Sequence, residues 1–515
     1  MYRVLAKLAL LPAGTLLVFG WLRSAHGTPT LDPHQPILLQ YLGWLFRILR
    51  GDLGWSPSNA EPVSQAIAER LPATIELVVV ALVAAVVLGA VFGFAQARAA
   101  GPRWRGVVAV PSLICRSVPV FLLALGLQLF VVVVLRLELF GYSSTESFDV
   151  RDRLAHLILP VLCLAMPFGA WSSLIFADFF RAHRSSWRIA RPVTMTVALI
   201  GPALVAASIL VETLFAWPGV GRLWWNAFGQ DDAAVIAGIL LTYIVAVVML
   251  ELCDAVRTAC PDAAPAGRRT VFSTLGIVAL VVLGIAVLGA AAANVIAPVG
   301  PYFVDQVHWQ GYPLPPGGDG HSLGTDENGR DLLARLLVGL RVSLGVAVFA
   351  TLIATVIAFV VATAGKTLPW LGVRRALVAS GIRPFAALPF IFAAIAILYR
   401  ASHRSAIAPS SALLGAVIGV VSWPALVSSF RAPTAVMLGG ITGFAGCALV
   451  LEVTLSMVGL GVQPPTPSLG NILANAQSNV MIAPWAVFIP AATIIVMLCA
   501  LYALADDLRE HDPSA

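Results

Sequence analysis

Twelve apolar stretches run through this chain, and each is long enough to cross a lipid bilayer as a helix. A helix needs about 20 apolar residues to span the ~30 Å hydrocarbon core. Only 11% of the 515 residues are charged, whereas soluble domains carry about 25%. The sequence therefore predicts an all-α integral membrane protein with about 12 transmembrane helices. The predicted spans lie at 5–22, 74–97, 107–135, 154–177, 192–214, 233–252, 271–293, 340–364, 378–399, 409–430, 435–457 and 484–505.

Lysine and arginine are concentrated in alternate loops. With the N-terminus inside the cell, the short inner loops carry clusters at 98–105, 181–191 and 366–375, and the outer loop at 458–483 carries none. Basic residues favour the cytoplasmic side of a membrane. We therefore expect a multi-pass protein of the cell membrane with both termini cytoplasmic. This placement also explains the net charge of +6, so membrane lipid is the expected partner and nucleic acid is not.

The chain reads as two homologous halves of about six helices each. The predicted halves are 1–256 and 271–515, joined by a Pro- and Ala-rich cytoplasmic linker at 257–270. Glu212 is followed by Gly219 and Gly221, and Glu452 is followed by Gly459 and Gly461 at the same two offsets. Internal repeats of this kind are common in transporters.

No catalytic constellation accompanies these spans. The six cysteines form no C-x-x-C pair and the eight histidines are scattered, so we expect no metal site, no cofactor and no enzyme activity. The chain contains no G-x-x-x-x-G-K-[ST] phosphate loop. Any ATP-driven transport would therefore need a separate ATP-binding polypeptide. The first apolar stretch is expected to be an uncleaved helix, because no small-x-small cleavage site follows it; a signal peptide is the alternative.

Several ordered strings resemble the permease subunits of dipeptide, oligopeptide and nickel ABC importers. In the first half they are GDLGWS at 51–56, IAERLPATIEL at 67–77 and VETLFAWPGVGRL at 211–223. In the second half they are LGTDENGRD at 323–331, RVSL at 341–344 and GLGVQPPTPSLGN at 459–471, which resemble the partner subunit. The resemblance implies two permease subunits fused in one chain, importing short peptides or similar solutes such as nickel chelates. It also implies separate ATP-binding subunits and an extracytoplasmic solute-binding protein as partners.

Two carboxylates and two turn segments are the candidate functional residues. Glu212 and Glu452 are predicted to act in the translocation path or gate, because a carboxylate at membrane depth usually faces the bundle interior. A structural hydrogen bond to nearby backbone is the rival interpretation. Asp326 and Asp331 are expected to cap a helix start, with Arg330 and Arg335 as ion-pair partners. Docking of the binding protein, or simple chain reversal, is predicted for Trp217, Pro218, Gly219, Gly221, Gly459, Gly461, Gln463, Pro464 and Pro465.

The chain departs from the importer pattern on its inner face. The resemblance implies a cytoplasmic coupling loop of about thirty residues in each half, but only 183–191 and 431–434 stand there. A degenerate permease that acts passively or as an accessory, and a secondary transporter, therefore remain as alternatives. A membrane enzyme would need clustered polar residues at one depth. The residues left for ATPase contact are Phe180, His183, Arg184, Trp187, Arg188 and Arg431.

Overall fold

In the computed structural model, the described residues are mostly helical and divide into two units, 1–264 with 375–397 and 265–374 with 398–515. The described residues of the first unit lie between 10 and 255, and those of the second lie between 273 and 510. The described ranges are 10–24, 35–99, 102–131, 136, 141, 150–182, 190–255, 273–298, 300–306, 313–318, 320–367, 410–427, 429–431 and 434–510.

The first unit contains nine described helices and one short hairpin. Its longest helix, α3, runs for 36 residues. In chain order the elements are α1 Leu10–Ser24, α2 Ile37–Leu49, β1 Trp55–Ser56, β2 Glu61–Pro62, α3 Val63–Arg98, α4 Pro102–Ser117, α5 Val120–Leu129, α6 Val150–Ala182, α7 Ala190–Leu214, α8 Val220–Gly229 and α9 Ala233–Ala255.

The second unit contains seven described helices and three short 3-10 turns. Its longest helix, α12, also runs for 36 residues. The helices are α10 Thr274–Ala291, α11 Ala293–Ile296, α12 Leu332–Thr367, α13 Ser411–Ser422, α14 Thr434–Met457, α15 Leu469–Ala476 and α16 Trp485–Glu510, with short 3-10 turns at Trp423–Leu426, Ser429–Arg431 and Gln477–Asn479.

Eight described helices are long and apolar enough to cross a membrane, and a ninth span is formed if the bent pair α4 and α5 is counted as one. The all-α membrane fold is therefore confirmed. The pair bends by 94° where Pro119, which has no amide hydrogen, precedes the first residue of α5. The described parts of the predicted spans 5–22 and 409–430 form the shorter helices α1 and α13. The predicted span 378–399 lies outside the described residues.

Close packing of α3 against α6 forms the centre of the first unit. A Cβ atom added to Gly93 would lie 2.5 Å from Cβ of Phe176, and one added to Gly89 would lie 1.7 Å from Oγ of Ser172. Small residues allow the backbones of membrane helices to approach this closely. An ion pair between Glu76 and Arg153 also joins these two helices.

In the second unit the start of α10 lies beside the end of α16. The backbone N–H of Ser273 donates to Oδ1 of Asp507 over 3.0 Å. A Cβ atom added to Gly276 would lie 2.2 Å from Oδ2 of Asp507. The N-cap residue of the unit's first described helix therefore lies beside the last turn of its last described helix. The six spans predicted for this half remain a prediction.

The GDLGWS string forms the turn and strand that follow α2. Gly51 and Gly54 have φ of +83° and +96°, which glycine adopts without steric cost. The buried Ser56 hydroxyl donates to Oδ2 of Asp232 over 2.7 Å. Oδ1 of Asp232 accepts from the backbone N–H of Val235 in the first turn of α9. This string therefore fixes the hairpin to the start of a spanning helix.

In the LGTDENGRD string, Asp331 caps the start of α12 as predicted, whereas Asp326 accepts from the backbone N–H groups of Asn328 and Arg330 in the loop before the helix. Oδ1 of Asp331 accepts from the backbone N–H of Ala334 over 2.7 Å. Oδ2 of Asp326 lies 2.7 Å from Nε of Arg330 and 3.1 Å from Nε of Arg335. The buried charges of this segment are paired with one another, and these charge-assisted contacts hold the segment against the start of the helix.

Candidate functional site

The Glu212 site lies at the end of α7 and consists of Glu212, Thr74 and the first turn of α8. Oε2 of Glu212 accepts from the backbone N–H of Gly221 over 2.6 Å and from that of Arg222 over 3.3 Å. The Thr74 hydroxyl accepts from the backbone N–H of Val220 over 2.8 Å and interacts with the carboxylate. The first three amides of α8, which have no partner within the helix, are thus all satisfied by side chains.

Two glycines make this approach possible. A Cβ atom on Gly219 would lie 2.2 Å from Oε2 of Glu212, and one on Gly221 would lie 2.5 Å from Cα of Ile209. No side chain can therefore be added at either position without moving α8 away from the carboxylate. The positive end of a helix dipole lies against the negative carboxylate, which offsets part of the cost of burying that charge.

Trp217 fixes the turn between α7 and α8. Its side chain is fully buried, and its indole N–H donates to the backbone oxygen of Ala73 over 2.9 Å. Ala73 directly precedes Thr74 on α3, so the turn is attached to α3 at two adjacent residues. This contact explains why an aromatic residue with a polar N–H stands at this position.

The Glu452 site occupies the corresponding place in the second unit and consists of Glu452, Ser343, Ser456 and Ser468. Oε1 of Glu452 accepts from the Ser456 hydroxyl over 2.8 Å, and the Ser343 and Ser468 hydroxyls interact with the same carboxylate. Each of the three serines also accepts a backbone N–H. The distances are 3.0 Å from Val462 to Ser456, 3.1 Å from Leu469 to Ser343 and 3.2 Å from Asn471 to Ser468.

The two sites share a plan but differ in how the carboxylate reaches the backbone. Glu212 accepts directly from backbone amides of α8. Glu452 instead contacts three serine hydroxyls, and these hydroxyls accept the backbone amides of the turn after α14 and of the start of α15. Both carboxylates are fully buried. Thr74 stands eleven residues after the first residue of α3, and Ser343 stands eleven residues after the first residue of α12. Each accepts the first amide of the short helix beside it.

The match between Thr74 and Ser343 shows that the glycines paired by their spacing from Glu212 and Glu452 are not structurally equivalent. Gly219 is the N-cap of α8, whereas Gly459 lies in the turn after α14 with φ of +80°. The N-cap of α15 is Ser468, within a capping box with Asn471. The equal Glu-to-Gly offsets therefore do not mark equivalent glycines, because the chain between carboxylate and short helix is longer in the second half.

The structural counterpart of Gly221 is Gly470, the second residue of α15. A Cβ atom on Gly470 would lie 2.2 Å from the backbone oxygen of Val453 and 2.8 Å from Cβ of Ser456. Both short helices therefore press a glycine against the longer helix that carries the carboxylate. The candidate Gly461 has a different role, because its Cβ would lie 2.3 Å from Oγ of Ser456 within the turn itself.

The residues predicted for docking differ in exposure between the halves. In the first half Trp217, Gly219 and Gly221 are buried and Pro218 is half-buried. In the second half Gly461 is buried, Gln463 is half-buried, and Gly459, Pro464 and Pro465 are exposed. The Gln463 side chain donates to the backbone oxygen of Gly459 over 2.6 Å, which holds the exposed turn closed. Docking remains a prediction, and the candidates for it that are exposed all belong to the second-half turn.

The predicted ATPase contact is only partly described. His183, Arg184, Trp187 and Arg188 lie outside the described residues, and Arg431 ends a 3-10 turn. Phe180 is half-buried at the end of α6, where its ring lies 5.4 Å from that of Phe94 and 5.5 Å from that of Phe179. Phe180 therefore has a packing role within the first unit, in addition to any contact with a partner.

Sequence reasoning missed the hydroxyl-bearing members of both sites. Thr74 lies inside the IAERLPATIEL string and Ser343 inside the RVSL string, so both belong to segments that resemble the importers. Ser468 and Asn471 lie inside the string at 459–471. The sequence feature that could have revealed them is a threonine or serine eleven residues after the first residue of each of the two long apolar helices. Within the described ranges, no group of three His, Cys, Asp or Glu side chains is arranged to hold a metal ion.

Known proteins similar to this chain are peptide permeases. A putative peptide transport system permease protein of Brucella abortus (strain 2308) is 30% identical over 233 residues, which cover 40% of this chain and 73% of that protein. The chain belongs to the peptide ABC transporter permease family. No protein-family model matches it.

The alignments of this permease with two further relatives cover nearly the whole length of those relatives. An oligopeptide transport system permease protein of Bacillus subtilis (strain 168) is 27% identical over 296 residues, covering 48% of this chain and 93% of that protein. A probable peptide ABC transporter permease protein of Sinorhizobium fredii is 26% identical over 281 residues, covering 46% of this chain and 90% of that protein. These relatives are transport permeases, so the chain is a multi-pass membrane transport subunit and not an enzyme.

Proposed function

We propose that this chain is the complete permease of an ABC importer for short peptides or similar small solutes in the cell membrane. Its two halves, 1–256 and 271–515, correspond to two permease subunits and are joined by the linker 257–270. The observation that best supports this proposal is that a similar site occurs in both units. A carboxylate and a hydroxyl residue hold the start of a short helix in each unit, Thr74 with Glu212 and Ser343 with Glu452.

The comparisons support this arrangement in one respect. Peptide permeases match over more than 90% of their own length yet cover less than half of this chain. A chain that holds two such subunits in tandem would give this ratio. The function also implies partners: separate ATP-binding subunits, an extracytoplasmic solute-binding protein and surrounding lipid. Both termini are assigned to the cytoplasm from the arginine distribution.

Within this function, Glu212 and Glu452 act at the gate by setting the positions of α8 and α15. Their full burial and their bonds to short-helix starts support a positioning role over direct contact with the solute. A solute path lined by carboxylates would require side chains that water can reach. Opening of the gate would then involve movement of a short helix together with the turn before it.

Reconstitution tests the proposal. The purified chain, an ATPase pair and a binding protein encoded beside it are placed in liposomes, and ATP-dependent uptake of a labelled dipeptide and tripeptide is measured. Uptake without any further permease chain is expected. A requirement for a second permease chain would show that the fused arrangement is wrong. Equal uptake with and without ATP would instead favour a passive permease.

A second variant distinguishes loss of contact with the ATPase from loss of the translocation path through the permease. Replacing Trp187 and Arg188 with alanine removes the predicted basic and aromatic ATPase contact of the first half. Copurification of the ATPase and ATP-dependent uptake should both fall, while membrane insertion is unchanged. If both values stay at the wild-type level, these two residues are not part of the contact.

A further inference from the structure

Helix α2 exposes a face that is entirely apolar. Leu38, Leu42, Phe46 and Leu49 recur at steps of three and four residues, and their side chains are 67%, 49%, 55% and 77% exposed. The neighbouring Leu39 is also exposed. A helix face in contact with water carries polar side chains, so a different environment must surround this one.

The opposite face of α2 packs on α1 near the middle of α1. The hydroxyl groups of Tyr41 and Thr15 lie 2.8 Å apart in a hydrogen bond. The ring of Phe19 lies 5.3 Å from that of Tyr41 and 5.6 Å from that of Trp44. These contacts bury Trp44 and Phe19 between the two helices.

The position of Thr15 gives the depth of α2. Thr15 stands nine residues before Ser24, the last residue of α1, and a helix rises about 1.5 Å per residue. The contact with Tyr41 therefore lies roughly 13 Å below the end of α1. Helix α1 in turn packs on the spanning helix α9. Helix α2 therefore packs on α1 well within the length of that helix, and α1 lies beside the spanning helix α9.

The polar residues that follow α2 mark where the chain leaves this environment. The guanidinium of Arg50 lies 4.1 Å from the centre of the Phe46 ring, so a positive charge contacts the last turn of the apolar face. Asp52 and the hairpin β1–β2 come next, and the hairpin is fixed to Asp232 at the start of α9. The apolar face therefore ends where the spanning helix α9 begins.

We propose that α2 is inserted in the lipid bilayer and that Leu38, Leu39, Leu42, Phe46 and Leu49 contact acyl chains. This segment falls between the predicted spans 5–22 and 74–97, so the sequence did not predict its insertion. A partner protein approaching from water would require polar groups around its contact surface, whereas the side chains of this face are apolar and the Arg50 guanidinium is a single charge at its end. Lipid is also the environment that the exposed apolar side chains of the adjoining spanning helices require.

Spin labels at single cysteines test the proposal. The full-length permease with its six native cysteines replaced is reconstituted in vesicles of phosphatidylethanolamine and phosphatidylglycerol, and retained peptide uptake verifies the background. Labels are placed by Leu42→Cys and Phe46→Cys. Val83→Cys, on the exposed side of spanning helix α3, is the lipid control, and Asn59→Cys, on the exposed hairpin turn, is the water control.

The expected result is that Leu42→Cys and Phe46→Cys match Val83→Cys, with high accessibility to oxygen and several-fold lower accessibility to a water-soluble nickel chelate than Asn59→Cys. Nickel accessibility equal to that of Asn59→Cys would place the face in water and overturn the proposal. Low accessibility to both reagents would show that protein covers the face, and would overturn it equally.

Discussion

Thr74 and Ser343 stand at the same step of two 36-residue helices, and each accepts the first backbone amide of a short helix, from Val220 and Leu469 respectively. The two hydroxyls connect the longest helix of each unit to the short helix that the carboxylate also holds.

Removing these hydroxyls should weaken both sites. Thr74→Val keeps the size of the side chain but leaves a buried amide without a partner, which costs about 1 to 3 kcal/mol. Thr74→Ser keeps the acceptor and should retain near wild-type melting temperature and peptide uptake. Ser343→Ala and Ser343→Thr form the matching pair in the second unit. Equal behaviour of Thr74→Val and Thr74→Ser would contradict the assigned bond to Val220.

Replacing the carboxylates separates positioning from charge. Glu212→Gln keeps an oxygen that can accept from Gly221, whereas Glu212→Ala removes both oxygens. If the residue positions α8, Glu212→Gln should retain most uptake and Glu212→Ala should lose it together with about 1 to 3 kcal/mol of stability. Uptake lost equally in both variants, with the stability of Glu212→Gln unchanged, would show that the negative charge itself is required. Glu452→Gln and Glu452→Ala are measured alongside.

The glycines at the second position of each short helix should tolerate no side chain. Gly221→Ala would place Cβ 2.5 Å from Cα of Ile209, and Gly470→Ala would place it 2.2 Å from the oxygen of Val453. Overpacking of this kind costs about 1 to 3 kcal/mol. Gly229→Ala and Gly345→Ala are matched controls, because a Cβ atom at either position meets nothing within 4 Å. Thermal unfolding in detergent should separate the two pairs.

The segment that precedes α12 and contains His321 should be stabilised more in acid than in alkali. His321 lies 2.7 Å from Asp331 through Nδ1 and 3.3 Å from Asp305 through Nε2. Burial lowers the pKa of His321, but the hydrogen bonds and negative charges of the two aspartates outweigh it, so the net pKa is raised. The stabilisation is therefore complete below the unfolded pKa of about 6.5 and is lost as pH rises through the higher folded value.

Comparison of the parent chain with His321→Gln tests this dependence. The difference in melting temperature should be largest near about pH 6 and should shrink toward about pH 9. Asp305→Asn removes one of the two negative charges beside His321. In that background, His321→Gln should lower the melting temperature at acid pH by less than it does in the parent chain. A difference that grows with rising pH would mean that neutral His321 is the form that the segment requires.

Apolar length and charged caps could be predicted from the sequence, whereas the two sites could be predicted only in part. Eight predicted spans appear as helices because apolar length alone determines them. Asp326 and Asp331 were recognisable because their partners lie within nine residues. Thr74 and Glu212 are 138 positions apart, and no local pattern indicates that the fold brings them to one helix start. The match between Gly219 and Gly459 was misleading, because equal spacing carries no information about which residue begins the next helix.

The bond between Ser273 and Asp507 has a consequence for how such a chain can arise. A unit whose first helix starts beside the end of its last helix can be joined to another of its kind by a short connecting peptide. Its orientation is then preserved, and no additional crossing has to be acquired. Tandem joining of two genes for such units would therefore yield a working topology in a single step.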